Sequence, residues 1–196
     1  MVEFKIGVIA LQGDVSEHVD AMERALRGRG SVIQVRRAGI VSDCDGLVLP
    51  GGESTTLSSQ LANAGIDQEI KRAAASGVPV LATCAGLVLV SRIIQGDSKV
   101  RPLGLMDTTI GRNVFGSQRE SFEADLEVEG FDRPFRAVFI RAPAIVSVGK
   151  GVQVLARVDE NAVAAREKSV LCLAFHPELT RDLRIHQMFL DTVGVK

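Results

Sequence analysis

Three short stretches hold residues whose types and spacing could do chemistry together. The first is Thr83-Cys84-Ala85-Gly86, set between an apolar strand-like run and a helical pattern. A nucleophile on a tight strand–turn–helix elbow is lifted above a sheet and placed at a helix N-terminus, and Ala85 and Gly86 are small enough for such a turn. The partial positive charge of a helix end favours the thiolate, the reactive form of cysteine, which otherwise makes up only a few per cent at neutral pH. A lone cysteine is more often a buried structural residue, and Cys44 and Cys172 are read that way. The second stretch is Phe175-His176-Pro177-Glu178, after the apolar run 170–174. Side chains two apart on a strand point the same way. Glu178 could therefore orient the His176 imidazole, which would serve Cys84 first as base and then as acid. The third is Leu49-Pro50-Gly51-Gly52-Glu53-Ser54-Thr55. Glycines after a strand let backbone N–H groups turn toward a ligand and form an oxyanion hole. The same residues would also make an ordinary βα turn with a Ser or Thr cap. A Walker phosphate loop is excluded, because the Gly-Lys-Ser/Thr ending is missing. His18 and His186 fall in amphipathic helical patterns and are read as surface or packing residues.

The elements that must position these residues follow from hydrophobic periodicity. Ile6-Gly7-Val8-Ile9-Ala10-Leu11 is a continuous apolar run, as expected of a strand buried on both faces. Asp14 with Glu17 three residues later resembles a capping box, and Val15, Val19, Met22 and Leu26 recur at helical spacing. Further strands are expected over 31–35, 46–49 and 78–81, with helices over 55–64, 67–76 and 86–94. The second half is richer in strands (108–110, 123–128, 137–140, 152–158, 163–166 and 170–175) and closes with an amphipathic helix over 184–193. Repeated βα units imply an α/β fold: an open, mostly parallel twisted sheet with helices on both faces, flavodoxin-like, with added antiparallel strands in the second half. In such sheets chemistry gathers where strands end and loops turn into helices.

The bulk composition narrows the classes. The 196 residues suit one domain spanning 1–196, and 46% hydrophobic residues argue against disorder. A net charge of −1 lacks the concentrated basic surface that nucleic acid requires. With no Trp or Tyr, an aromatic platform for bases is not expected either. Neither a signal-peptide pattern nor an apolar stretch long enough to span a bilayer is visible, so no membrane role is expected. The three cysteines form neither a metal spacing nor an even disulfide set, which points to a reducing, cytoplasmic setting.

Cysteine elbow, Gly-Gly loop and late His-x-Glu, in that order, resemble the class I (triad) glutamine amidotransferases. A narrower resemblance rests on Ala10-Leu11-Gln12-Gly13 with Glu17-His18, residues 49–55 and 83–86, Ser121-Phe122-Glu123, Phe139-Ile140-Arg141-Ala142-Pro143 and residues 175–179. Together these are similar to the glutaminase subunits of the ribose 5-phosphate-dependent pyridoxal phosphate synthases. The resemblance implies Cys84 as nucleophile, His176 as acid–base and Glu178 as its orienting partner. It implies a glutamine-binding set of Gly52, Glu53, Ser54, Arg112, Ile140 and Arg141, with the backbone N–H groups of Gly52 and Ala85 as oxyanion donors. It further implies L-glutamine as substrate, no cofactor or metal on this chain, and a (β/α)₈-barrel synthase partner in a hetero-oligomer that receives the ammonia. Two departures stand out: Ala82 where the family usually has Gly, and Gly116-Ser117-Gln118 where it has Gly-Arg-Gln. Competing readings are a glutaminase serving another acceptor, a non-catalytic subunit that kept the fold, and a cysteine hydrolase or stress-type chaperone of related topology.

Overall fold

The computed structural model describes residues 3–112, 114–115 and 121–194. Asn113, beside Arg112, and the Gly116-Ser117-Gln118 departure lie outside the described residues. The elements are β1 (Phe4–Ile9), α1 (Val15–Leu26), β2 (Gly30–Val35), β3 (Gly46–Leu49), α2 (Ser54–Ala64), α3 (Ile66–Ala75), β4 (Val80–Thr83) and α4 (Ala85–Val90). They continue with β5 (Ser91–Ile94), β6 (Met106–Gly111), β7 (Ser121–Leu126), β8 (Phe135–Ile140), β9 (Ala144–Val148), β10 (Gln153–Val158), β11 (Asn161–Glu167), β12 (Val170–Leu173) and α5 (Arg184–Val193).

The continuous apolar runs become the centre of a ten-stranded sheet among the described residues. β3, β4 and β12 are buried along their whole length, as strands covered on both faces must be. Five strands in the order β2-β1-β3-β4-β12 run parallel. Chain direction across the sheet changes within this set: β1 leads to β2 on one side, while β3 leads to β4 on the other. Right-handed crossovers then put α1 on one face and α2 and α3 on the opposite face. Accordingly α1 packs with α5, and α2 packs with α3 and α4. Beyond β12 the ladder turns antiparallel through β11, β9 and β6, with β5 added in parallel at the edge and β10 paired to β11. β7 and β8 form a separate antiparallel pair. No helix among the described residues is long and apolar enough to cross a membrane.

The structure departs from the sequence expectations in three places. The helix expected over 86–94 stops at Val90, and Ser91–Ile94 becomes β5. Ser91 turns extended while its hydroxyl donates to the Leu87 carbonyl at 2.7 Å, a side-chain bond that competes with the next helical turn. Ile93 and Ile94 then find pairing partners in Thr109 and Ile110. β9 was not expected. Its three exposed residues from Val146 onward give no buried alternation, and the sheet ladder alone defines it. Finally, Asp14 occupies the N-cap position of α1 but makes no side-chain capping bond. Its carboxylate instead faces the His176 ring.

Candidate active site

A parallel sheet offers its ligand crevice at the carboxyl ends of its strands, where the chain order reverses. Here that reversal lies between β1 and β3. Gln12 to Asp14 follow β1, Gly51 and Gly52 follow β3, Cys84 follows β4 and His176 follows β12. These loops meet in one crevice of about 390 Å³, a volume within the range of small-molecule sites. A larger, shallower hollow of about 730 Å³ lies against α5 and reaches Gly77 and Ser169, which precede β4 and β12 and so mark the opposite end of the strands.

Of the residues singled out from the sequence, Gly52, Glu53, Ser54, Cys84, Ala85, Arg112, Ile140, Arg141 and His176 all line the crevice. Glu178 stands behind His176. Cys84 is the residue between β4 and α4, and its backbone lies at φ 48°, ψ −103°. A non-glycine residue there is strained, and such strain is held only where surrounding structure over-determines it. The amide of Cys84 donates to the Leu173 carbonyl of β12 at 2.9 Å, and the thiol faces the Ile140 carbonyl of β8 at 3.8 Å. The Ala85 N–H opens α4, so it has no partner within its own helix.

His176 is nearly fully buried. Its Nδ1 lies 2.6 Å from Glu178 Oε1 and 3.3 Å from Asp14 Oδ2. Ionised carboxylates only accept, so Nδ1 carries a proton between them. Nε2 is buried and has no hydrogen-bond partner among the described residues. Burial opposes a charge on this ring, but the hydrogen-bonded carboxylates of Asp14 and Glu178, with the neighbouring Cys84, outweigh it and raise the imidazole well above its ordinary pKa. The bond to His176 holds the Asp14 carboxyl below its usual range in turn. Asp14, His176 and Glu178 bring ligand atoms within 4.8 Å of one another. The 2.6 Å contact to Nδ1 is a charge-assisted hydrogen bond, so the set holds a proton rather than presenting an open metal face.

The loop after β3 is tied down from two sides. The Glu53 carboxylate caps α2, accepting from the amides of Thr55 and Thr56 at 3.0 and 2.7 Å. Burial opposes ionisation of Glu53, but these bonds and that from the Thr56 hydroxyl dominate and bring its pKa to about 2. The Glu53 side chain is thus engaged with its own helix, as in a capped βα turn. Gln12 donates to the Glu53 carbonyl at 3.1 Å. Gly52 sits at φ +138°, and a Cβ there would come within 2.4 Å of the Gln12 amide nitrogen; a Cβ on Gly51 would come within 2.6 Å of the His176 ring. Both positions require glycine. The guanidinium of Arg112 is paired with Asp97.

Sequence reasoning missed Asp14, which reads as a helix cap, and His18. His18 is fully buried, with Nε2 2.9 Å from the Thr83 hydroxyl and 3.4 Å from Glu178 Oε2. The available signal was the Gln-Gly-x-x-x-Glu-His stretch, whose tertiary partners no local pattern names.

The class that this fold and crevice define is the glutamine amidotransferases. A match to the SNO glutamine amidotransferase family covers residues 8–195, and the chain belongs to that family. It is 61% identical to pyridoxal 5′-phosphate synthase subunit PdxT of Methanothrix thermoacetophila, covering 95% of this chain and 98% of the relative. It is 59% identical to the subunit of the same name from Methanosarcina mazei, covering 96% and 98%. Among solved structures, one described as a glutamine amidotransferase superposes with a TM-score of 0.91 at 41% identity, covering 97% of this chain and 99% of the other. The PurLQS structure from Thermotoga maritima, at 19% identity and a TM-score of 0.71, shares the fold.

Proposed function

We propose that this chain is the glutaminase subunit of a pyridoxal 5′-phosphate synthase, with Cys84, His176 and Glu178 as a catalytic triad. It hydrolyses L-glutamine to L-glutamate and ammonia and supplies the ammonia to the synthase subunit. The observation that carries the residue assignment is the buried imidazole sharing a crevice with Cys84: Nδ1 is fixed by carboxylate while Nε2 is uncommitted.

The steps follow from that geometry. The Cys84 thiolate attacks the side-chain amide carbon of glutamine. Negative charge builds on the amide oxygen, where the backbone N–H groups of Gly52 and Ala85 are the donors, each worth on the order of 10²–10³ in rate. The imidazolium of His176 protonates the departing nitrogen, the C–N bond breaks, and ammonia leaves a glutamyl thioester. His176, now neutral, takes a proton from water, and the hydroxide attacks the thioester. The C–S bond breaks to release glutamate and restore the thiolate–imidazolium pair. Glu178 keeps the proton on Nδ1 throughout. Gly52, Glu53, Ser54, Arg112, Ile140 and Arg141 hold the substrate; Arg112 does so by sharing its charge between Asp97 and the glutamine carboxylate. Ammonia released into water would be protonated, so it passes directly to the partner, which the family resemblance makes a (β/α)₈ barrel. Three buried free cysteines suit a reducing, cytoplasmic setting, and one continuous core suits a single domain over 1–196.

The test is glutamate release from glutamine by wild type and Cys84→Ala, each alone and with the synthase subunit. The variant is expected to lose on the order of 10⁴-fold or more in turnover. Release by Cys84→Ala at the wild-type rate would refute the assignment.

A further inference from the structure

The mechanism above leaves the Glu17-His18 part of the sequence motif unused. His18 belongs to α1, is 0% exposed, and stands between two residues that matter to the site. Thr83, whose hydroxyl lies 2.9 Å from Nε2, is the last residue of β4 and immediately precedes Cys84. Glu178, whose Oε2 lies 3.4 Å from the same nitrogen, uses its other oxygen to hold His176. A carboxylate only accepts, so an Nε2 lone pair turned toward Oε2 would repel it, whereas an Nε2–H can be shared between Oε2 and the Thr83 hydroxyl. Burial favours the neutral ring, with Glu178, His176, Asp14 and Glu17 as the charged groups that act on it. Oε2 is buried with no hydrogen-bond partner among the described residues, and Nε2 stands beside it at 3.4 Å, within ion-pair range. A surface crevice lined by Glu17, Asp20, Glu23 and Arg24 reaches Glu178 from the side of α1. An unheld Oε2 could turn toward water there and carry Oε1 away from Nδ1.

We propose that His18 is a positioning residue whose Nε2–H bridges Glu178 and Thr83, locking the carboxylate behind His176 to the strand that carries the nucleophile. This rests on the triad reading of the preceding subsection.

The experiment compares steady-state glutaminase kinetics of the complex with the synthase subunit for wild type, His18→Gln, His18→Asn, His18→Leu, Glu178→Gln and the His18→Leu/Glu178→Gln double variant. Gln can place an amide N–H near the position of Nε2, while Asn places one near Nδ1. His18→Gln is expected to keep most of kcat, and His18→Asn and His18→Leu to lose about 10- to 100-fold, the usual cost of removing an outer partner. The KM for glutamine should stay unchanged, because His18 does not line the crevice. In the Glu178→Gln background His18→Leu should cost nothing further. Melting temperatures of the Gln and Asn variants show whether the two polar substitutions are equally folded, so the comparison survives even if His18→Leu does not fold. Full kcat in His18→Asn, equal losses in Asn and Gln, or an undiminished His18→Leu effect without the Glu178 carboxylate would each overturn the positioning role. Full kcat in Glu178→Gln would overturn the triad reading itself.

Discussion

Asp14 shows how a tertiary partner can override a local rule. By position it is a helix cap, yet it forgoes the capping bond and places Oδ2 3.3 Å from Nδ1 of His176, opposite Glu178. Two carboxylates on one imidazolium favour the protonated ring, so the imidazolium persists to higher pH than either carboxylate alone would sustain. Replacing Asp14 with Asn removes a negative charge and must lower the pH at which His176 loses its proton. The basic limb of the kcat/KM profile of the complex is therefore expected to move to lower pH, with the rate on the plateau largely kept. An NMR titration of the His176 ring should move in the same direction, and an unmoved limb would show that Asp14 is a bystander. The proposed triad was legible because Cys84, His176 and Glu178 sit in short motifs at strand ends. Asp14 and His18 were not, because their partners lie across the sheet: Asp14 reaches a residue after β12, and His18 one at the end of β4 and one after β12. Glu53 was legible as a residue of the site, while its capping role follows from the 3.0 and 2.7 Å amide contacts.

At the scale of elements, β8 is the piece that touches both side chains of the proposed reaction. Its Val138 carbonyl accepts from the His176 amide at 2.8 Å, and its Ile140 carbonyl faces the Cys84 thiol. What holds β8 there is aromatic packing: Phe139 stacks on Phe122 with centroids 4.5 Å apart and meets Phe175, the residue before His176, at 5.6 Å. Truncating Phe139 to Ala should cost about 3–5 kcal/mol of stability by denaturant unfolding. Phe139→Leu, which refills most of the space, should cost clearly less. The loop after β3 gives a cleaner separation of activity from stability. A Cβ on Gly51 would press on the His176 ring at 2.6 Å and on Asp14 at 2.7 Å. Gly51→Ala is expected to lower kcat by about 10²-fold, since displacing a catalytic group by about 1 Å has that effect. Gly65→Ala is the control. Gly65 ends α2 at φ +70° with open space around it, so the change should cost about 1–2 kcal/mol of stability and leave turnover intact. Equal losses of turnover in both variants would mean that the Gly51 contact is not what sets the ring. The parallel centre of the sheet was legible because strands buried on both faces must be written as continuous apolar runs. β5 and β9 were hidden for the converse reason: β5 at the sheet edge and β9 inside the sheet but exposed from Val146 onward carry no such pattern, and a four-residue strand directly after a helix extends its periodicity.

On the scale of the whole molecule, the parallel sheet sends its chemistry to one end, while the packing of α1 on α5 seals two histidines on one face. His186 is fully buried on α5, and neither ring nitrogen has a partner among the described residues. Burial, with smaller contributions from His18 and Arg24, lowers its pKa from 6.5 to about 3. The folded state therefore holds His186 neutral, while the unfolded chain protonates it below about pH 6.5. The stabilising effect of the neutral ring is complete above the unfolded pKa and is lost as pH falls toward the folded value, because the unfolded state binds the extra proton in that window. The slope from this one group approaches about 1.4 kcal/mol per pH unit once the unfolded side chain is fully protonated. His18, also lowered by burial, adds to the same trend. Urea unfolding at a series of pH values between 7 and about 4 should thus show stability declining on acidification. His186→Leu, which keeps an apolar side chain between α1 and α5 and cannot be protonated, should flatten that decline while leaving glutamine turnover at neutral pH unchanged. An identical pH slope in His186→Leu would mean that the acid sensitivity arises elsewhere, with the carboxylates around His176 as the next group to substitute.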